Sequence, residues 1–319
     1  MDKYRVEKVI ANALYGQVLL AHDLHTGDLV AIKKMNVAAA AAHTVVRGDG
    51  TSHVPEDIEM EKQVNRLLSN TGNASMHPNI LRMRTDFVHG DYDHMVFEYC
   101  AGGDLFGVLD HGALSSSVAK RYFQQIASAV AHLHSIGVAH RDLSLENVLL
   151  DAHDTCYVCD FGLATSVKVY CDDTVGKHFY MAPEVVRGGH YDPSQADIWS
   201  LGIMLFMLVT GAPMCMSASA RDSRFKYYTK HGLADLLKSW NMAVDAQAMD
   251  LLEKMLRVNP AERVTMPQVL SHAYMGGVNR VTVAAVENVS KTKLQVKAKP
   301  ASVLHRLFKR KVADAHPLP

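Results

Sequence analysis

The feature that most constrains the fold of this 319-residue chain is a change in the period of its apolar residues. From Tyr4 to about Val37, and again up to "MVFEYC", short runs such as "RVEKVI", "GQVLLAHDL" and "DLVAIKKM" are separated by turn-forming residues. That is the pattern of a small antiparallel sheet. Further on the period becomes close to 3.6: "SSVAKRYFQQIASAVAHLHS" reads as an amphipathic helix opened by Ser and stopped near Gly137. Helical character continues to about Met275, so the chain predicts an α+β fold class with a strand-rich first domain and a helix-rich second. Its length also exceeds the usual single-domain size.

Two stretches interrupt the first domain. Ala38 to Val54 holds five consecutive Ala and then Gly, Asp, Thr and Ser, and reads as an inserted loop. A helix is predicted from about Pro55 to Leu68, where Glu56 and Asp57 suit the positive N-terminal end. "SNTGNAS" forms a second insert.

Charge and cysteine usage narrow the function classes. With 33 basic and 33 acidic residues the chain has no net field to draw nucleic acid. Residues 276 to 319 hold nine Lys/Arg against Glu287 and Asp314, a tail of +7 on a body of −7. The longest apolar run, around Ile203 to Val209, is far short of the roughly 18 to 20 residues that span a bilayer. No N-terminal signal pattern appears, so a cytoplasmic location is expected, with the nucleus also open. Five Cys at irregular spacing fit reduced thiols. Cys156 and Cys159 form a lone C-x-x-C whose members point to opposite faces of a strand, which does not make a metal site.

Four short stretches carry chemistry, in this order: Val30-Ala31-Ile32-Lys33, His140-Arg141-Asp142 with Asn147, Asp160-Phe161-Gly162, and Ala182-Pro183-Glu184. Each alone is weak. Together, in order, they resemble the signature set of eukaryotic protein kinases over residues 4 to 275. "RYFQQIASAVAHLHSIGVAHRDL" is similar to serine/threonine kinases of the calcium/calmodulin-dependent and energy-sensor groups. The resemblance implies a bilobal kinase domain at 1–275, with a β-rich N-lobe at about 1–99 and a larger helical C-lobe at about 103–275. The basic tail, 276–319, follows. It also implies ATP-dependent transfer of the γ-phosphoryl of Mg-ATP to protein serine or threonine hydroxyls, with ATP and Mg²⁺ as cofactors. The alternative is a low-activity, pseudokinase-like signalling scaffold.

Phosphoryl transfer needs phosphates, metal and attacking hydroxyl held in line with their charge neutralised. By resemblance Lys33 holds the α/β-phosphates, Asp160 and Asn147 bind Mg²⁺, and Asp142 accepts the proton of the substrate hydroxyl. Glu61 in "EKQVNRLL" is the partner of Lys33, with Glu59 as the other candidate. Ile10, Val18, Ala31 and Leu149 fall where the family lines adenine. Phe97 is the gatekeeper, Glu98 and Cys100 offer hinge backbone groups, and Asp104 lies near the ribose. Asp197 in "DIWSLG" braces the catalytic loop, and Arg263 pairs with Glu184.

The sequence departs from the family pattern at four places. In "ANALYGQV", Ala11 and Ala13 replace the first two glycines of the phosphate-covering loop and Gly16 alone remains, which is expected to weaken ATP binding. Asn65, one turn after Glu61, replaces an apolar residue that packs against Phe161, and is expected to loosen the alignment. Ser144 stands where serine/threonine kinases carry a Lys contacting the γ-phosphate. Lys177 stands where they carry a Thr bonded to the catalytic Asp. The Lys/Thr pair has become a Ser/Lys pair, so Lys177 is expected to return a cation to Asp142 and the transferring phosphate, with Ser144 supplying the hydroxyl. Asp173 stands where many kinases carry a phosphothreonine bonded to Arg141, with Thr174 as the remaining phosphosite.

Protein serine and threonine hydroxyls are the expected acceptors. Asp104 and Glu146 favour a basic residue before the acceptor only weakly, since Phe179 and Met207 stand where basophilic kinases carry further acids. The chain is expected to act as a monomer. Val303, Leu304, Leu307 and Phe308 beside Arg306, Lys309, Arg310 and Lys311 would let the tail contact an acidic partner, a membrane surface or its own kinase domain.

Overall fold

The computed structural model describes residues 1–42, 44–47, 50–53, 56–69 and 76–276. It divides into two compact units, Met1–Gly107 with Glu146–Leu163, and Val108–Leu145 with Ala164 onward. The first is strand-rich and the second helical, the α+β class that the change of period predicts. The basic tail from 277 to 319, with its apolar and basic helix face, lies outside the described residues, as does 70–75 of the second insert.

The first unit is built on an antiparallel sheet of β1 (Tyr4–Ala13), β2 (Gly16–Asp23), β3 (Leu29–Asn36) and a later strand pair. After β3 the alanine-rich stretch is not a loop. It forms α1 (Val37–Ala41) and a hairpin of β4 (Thr44–Arg47) and β5 (Gly50–His53). Alanine is the best helix former, and the Asn36 side chain caps the turn by accepting from Ala39 N at 2.9 Å. The next helix, α2 (Ile58–Ser69), begins three residues later than Pro55. Asp57 stays outside it as a cap, its carboxylate accepting from Met60 N at 3.1 Å. Strands β6 (Met83–His89) and β7 (Tyr92–Glu98) complete the sheet in the order β1-β2-β3-β7-β6.

Period two sorts the side chains of this sheet. Val30 and Ile32 join Leu19, Ala21 and Val96 in one apolar layer, while Met35, Met95 and Phe97 on the other face pack with Ile58, Leu81 and Met83. By the same parity Lys33 lies on the second face, between Ala31 and Met35. Burying that face therefore carries an ammonium inward, on the side where α2 packs.

Chain order would assign Glu146–Leu163 to the second domain. It packs with the first unit because strands Val148–Leu150 and Cys156–Val158 pair with each other and the former pairs with Gly103–Asp104. Leu81 N also donates to Val158 O at 2.9 Å. Cys156 is buried and Cys159 half-buried, both as free thiols. A short helix, α3 (Leu105–Val108), follows Asp104, whose carboxylate accepts from Gly107 N at 2.8 Å.

The second unit is organised by α4 (Ser116–Ser135) and α6 (Pro193–Thr210), with α5 (Pro183–Arg187) between them in sequence. On α4 the buried stripe is Ala119, Phe123, Ile126, Val130 and Leu133, and the helix stops just before Gly137 at φ 91°. α6 is apolar on nearly every side and buried, which places Met207 inside the unit rather than on a substrate-facing surface. Three further helices follow: α7 (Ser223–Ser239), kinked at Gly232, α8 (Ala246–Met255) and α9 (Met266–Ser271). Between α8 and α9 the Arg263 guanidinium makes two bonds to the Glu184 carboxylate on α5, at 2.6 and 2.8 Å. The same guanidinium lies 5.3 Å from the Trp199 ring. Among the described residues no helix is long and apolar enough to cross a membrane.

Two outer ion pairs fix α2 to the sheet. Lys62 Nζ lies 2.6 Å from Asp93 Oδ2 on β7, both side chains being buried, and Arg66 pairs with Asp86 on β6. Removing one partner of a buried ion pair strands the other charge, at a cost of about 3–5 kcal/mol, whereas replacing both by apolar groups is often close to neutral. Lys62 Nζ also lies 3.6 Å from Asp86 Oδ2 and 3.5 Å from Glu59 Oε1, so Asp93→Ala should lose less than that in urea unfolding, and Lys62→Met/Asp93→Leu should recover most of the loss. Equal losses in the single and double variants would show that the pair does not hold the helix.

Candidate active site

Each unit carries one cluster of the residues singled out in the sequence. In the first, α2 brings Glu61 against the sheet face that holds Lys33. Lys33 Nζ donates to Glu61 Oε1 at 2.7 Å and Oε2 at 2.8 Å, and lies 3.4 Å from Asp160 Oδ1. Glu59 is directed elsewhere, 3.5 Å from Lys62. Burial works against the charge on Lys33, but the Asp160 and Glu61 carboxylates outweigh it and hold its pKa above the ordinary lysine value. Burial pushes the Glu61 carboxyl up to about 7 against the pull of Lys33, and Asp160 adds to the rise.

Backbone bonds fix the rest of this cluster. Cys159 N donates to Asn147 O at 3.0 Å, which holds Asn147 beside the residue preceding Asp160. Asp57 N donates to Gly162 O at 3.0 Å, tying the start of α2 to the Asp-Phe-Gly stretch. Asp160 has φ 68°, in the left-handed region that costs a non-glycine residue about 1–2 kcal/mol. Phe161 is buried. Asn65 does not leave a polar group unsatisfied: its Nδ2 donates to Glu61 O at 2.9 Å, one turn back on the same helix. That bond satisfies the amide within α2.

The residues that resemblance places around a nucleotide are distributed over two sheets of the first unit. Val18 pairs with Lys33, Ala31 with Phe97, and Leu149 with Asp104. Phe97 belongs to an apolar cluster against which Cys100, Leu149 and Cys159 pack. Burial pushes the Cys100 thiol up to about 12, so it is no nucleophile. Glu98 is half-buried and Ile10 exposed on the edge strand β1. Ala11 and Ala13 are paired with Val18 and Gly16 in extended backbone, and neither has positive φ. The conformational cost attached to replacing those two glycines does not arise here. Gly16 has a different reason to be glycine, since a Cβ there would come 2.0 Å from Lys34 O.

In the second unit the loop after strand Val138–Ala139 carries Asp142 and Ser144. Asp197 on α6 braces it: Oδ2 accepts from His140 N at 2.8 Å and lies 2.8 Å from His134 Nε2, and Oδ1 accepts from Arg141 N at 2.8 Å. These bonds hold Arg141 at φ 67°. Lys177 Nζ donates to Ser144 Oγ at 2.9 Å and to Asp142 Oδ2 at 3.2 Å. Arg141, with its side chain largely buried, pairs with the Asp173 carboxylate, and its Nε donates to Tyr191 OH at 3.3 Å. Burial opposes the charge of Arg141, but Asp173 more than compensates. Thr174 Oγ1 donates to Val185 O at 3.2 Å.

Two contacts had no signal in the sequence. Tyr15, at the β1–β2 turn, is buried in the cluster with Met35 and Phe97, and its hydroxyl donates to Glu56 O at 3.2 Å. Asp93, the partner of Lys62, stands in "GDYDH", where an Asp reads as a turn residue. Lys62, adjacent to Glu61, offered half of that signal.

The raised carboxyl of Glu61 has a measurable consequence. A free glutamic acid titrates near about 4.3, so folding takes up a proton between that value and about 7. The stability linked to this proton is complete below about 4.3 and lost as pH rises through about 7. In urea unfolding at about pH 5 and about pH 8, wild type should lose stability relative to Glu61→Gln as pH rises. A wild type that gains on the variant over this range would show a carboxyl ionised throughout.

Comparison with known proteins agrees with this geometry. A family model described as the protein kinase domain matches residues 4–275. CBL-interacting serine/threonine-protein kinase 13 of Arabidopsis thaliana is 31% identical over 279 residues, covering 86% of this chain and 51% of the relative. CBL-interacting protein kinase 32 of Oryza sativa subsp. japonica is 34% identical over 278 residues, covering 85% and 58%. Serine/threonine-protein kinase SAPK9 of the same plant is 31% identical over 279 residues, covering 86% and 72%. The chain spans little more than half the length of the first two. Motif order, the paired Lys33 and Glu61, and a match over most of the sequence lead to one conclusion: this chain belongs to the protein kinase family, serine/threonine type.

Proposed function

We propose that the chain is an active kinase that transfers the γ-phosphoryl of Mg-ATP to serine and threonine hydroxyls of proteins. The observation that carries this reading is the buried Lys33 ammonium, held by both oxygens of Glu61 with Asp160 alongside. Holding an ammonium and a carboxyl group largely out of water is costly and adds little to stability. It is what a site needs if a fixed cation is to meet phosphates. A scaffold has no use for it.

The donor set fits Mg²⁺. Among the described residues no group of three or more His, Cys, Asp or Glu could hold a metal alone. Mg²⁺ keeps several waters and needs only one or two protein oxygens beside substrate phosphates, a role open to Asp160 and Asn147. When bound, the ion neutralises charge developing on the phosphates. Lys33 would hold the α/β-phosphates, and Asp142, kept in place through the Asp197 brace, would orient the acceptor hydroxyl and take its proton. Protein substrates with Ser/Thr acceptors are supported by Glu146, which keeps the serine/threonine form of the loop, and by the names of the relatives. Radiolabelled ATP with Mg²⁺ and a protein substrate should give transfer by wild type and none by Asp160→Ala. Labelling by neither would favour the scaffold, and equal labelling by both would contradict the role given to Asp160.

Regulation follows from Arg141. Its charge is already answered by Asp173 and Tyr191, so basal activity requires no phosphate on the activation segment. Asp173→Ala should lower kcat about tenfold, by loss of a charge-assisted bond, while Thr174→Val stays active. Mass spectrometry showing stoichiometric Thr174 phosphate that is required for turnover would refute this account.

A further inference from the structure

Ser144 and Lys177 form a unit that the family pattern does not contain. The Ser144 side chain is fully buried and cannot itself meet a ligand. Its hydroxyl is taken up by Lys177 Nζ at 2.9 Å, and the same ammonium reaches Asp142 Oδ2 at 3.2 Å. Lys177, by contrast, is 36% exposed in its side chain, and Asp142 15%. The accessible member of the unit is therefore the lysine, and the buried member is the hydroxyl that its ammonium meets.

The electrostatics give this arrangement a task. A carboxylate that holds an acceptor hydroxyl repels the polyanionic phosphates brought to that hydroxyl. A cation within hydrogen-bond distance of the same carboxylate offsets the repulsion. It also stands where negative charge spreads over the transferring phosphoryl. We infer that Lys177 is a catalytic residue contacting the γ-phosphoryl, and that Ser144 positions it; this rests on the kinase activity proposed above. In the step it serves, the acceptor oxygen bonds to the γ-phosphorus as the bond from phosphorus to the β,γ-bridging oxygen breaks. The electron pair of that bond leaves with ADP, and the hydroxyl proton passes to the Asp142 carboxylate. Lys177 keeps its proton throughout and acts by charge.

The alternative is that Lys177 only neutralises Asp142 at rest. Binding separates the two, because a γ-phosphoryl contact exists for an ATP analogue and not for ADP. Lys177→Ala and Lys177→Met are compared with wild type by thermal melting, by calorimetric affinity for Mg·AMP-PNP and Mg·ADP, and by kcat. Both variants should melt with wild type, bind AMP-PNP about tenfold more weakly with ADP affinity unchanged, and lose about 100-fold or more in kcat. Ser144→Ala should show the same pattern more mildly, and Ser144→Lys/Lys177→Thr should restore kcat relative to either single variant. An unchanged ratio of the two affinities overturns the inference, whether or not kcat falls. If wild type transfers no phosphate but the ratio still drops in the variants, the proposed activity fails, the catalytic role falls with it, and only the γ-phosphoryl contact of Lys177 stands.

Discussion

A lysine ammonium carried into a sheet face by strand parity is tolerated only if carboxylates meet it there. Lys33 is in that position because Met35, two residues on and on the same side, is buried in the core. Much of the first unit can be understood as the means of delivering its partners. α2 must dock with Glu61 inward, and it does so with two outer clamps, Lys62 to Asp93 and Arg66 to Asp86. The start of α2 must reach Gly162, and it does so through Asp57 N. The Asp-Phe-Gly stretch must join the same unit, and the pairing of Val148–Leu150 with Cys156–Val158 draws it there.

The second unit meets a different constraint. Its loop must present Asp142 with a backbone that is locally unfavourable at Arg141. Strain of this kind persists only where surrounding structure over-determines it. Asp197 accepts two backbone N–H bonds from the loop and holds His134 as well, from a helix that is almost wholly buried. The Glu184–Arg263 pair anchors the far end of the activation segment with two bonds in a dry setting. Between these anchors, Lys177 meets Asp142 and Ser144, and Asp173 meets Arg141.

What was legible in the sequence was whatever depends on local pattern. Period two placed Lys33 on a strand, while resemblance to the family's motifs singled out Glu61, Asp142, Asn147 and Asp160. The Ser144 and Lys177 pairing could be anticipated because two departures from one pattern were complementary. The β4–β5 hairpin was hidden because its residues have the composition of a loop, and alanine alone does not reveal a turn of helix. The later start of α2 follows from Asp57 acting as a cap, where an acidic residue reads equally well as a first-turn residue. Lys62–Asp93 and the burial of Tyr15 are long-range contacts between single residues, and no local period reports them. Asn65 shows the reverse: its bond to Glu61 O is an i to i−4 contact that local geometry alone permits.

The central claim is that Lys33 and Glu61 act as one unit toward nucleotide phosphates. A double-mutant cycle on Mg·ATP affinity, using Lys33→Met, Glu61→Gln and the double variant in calorimetry, tests it most directly. The account predicts strong non-additivity, with a coupling of about 1 kcal/mol or more and the double variant little worse than Lys33→Met alone. Additive losses would mean that Glu61 does not hold Lys33 for the nucleotide, and would contradict it.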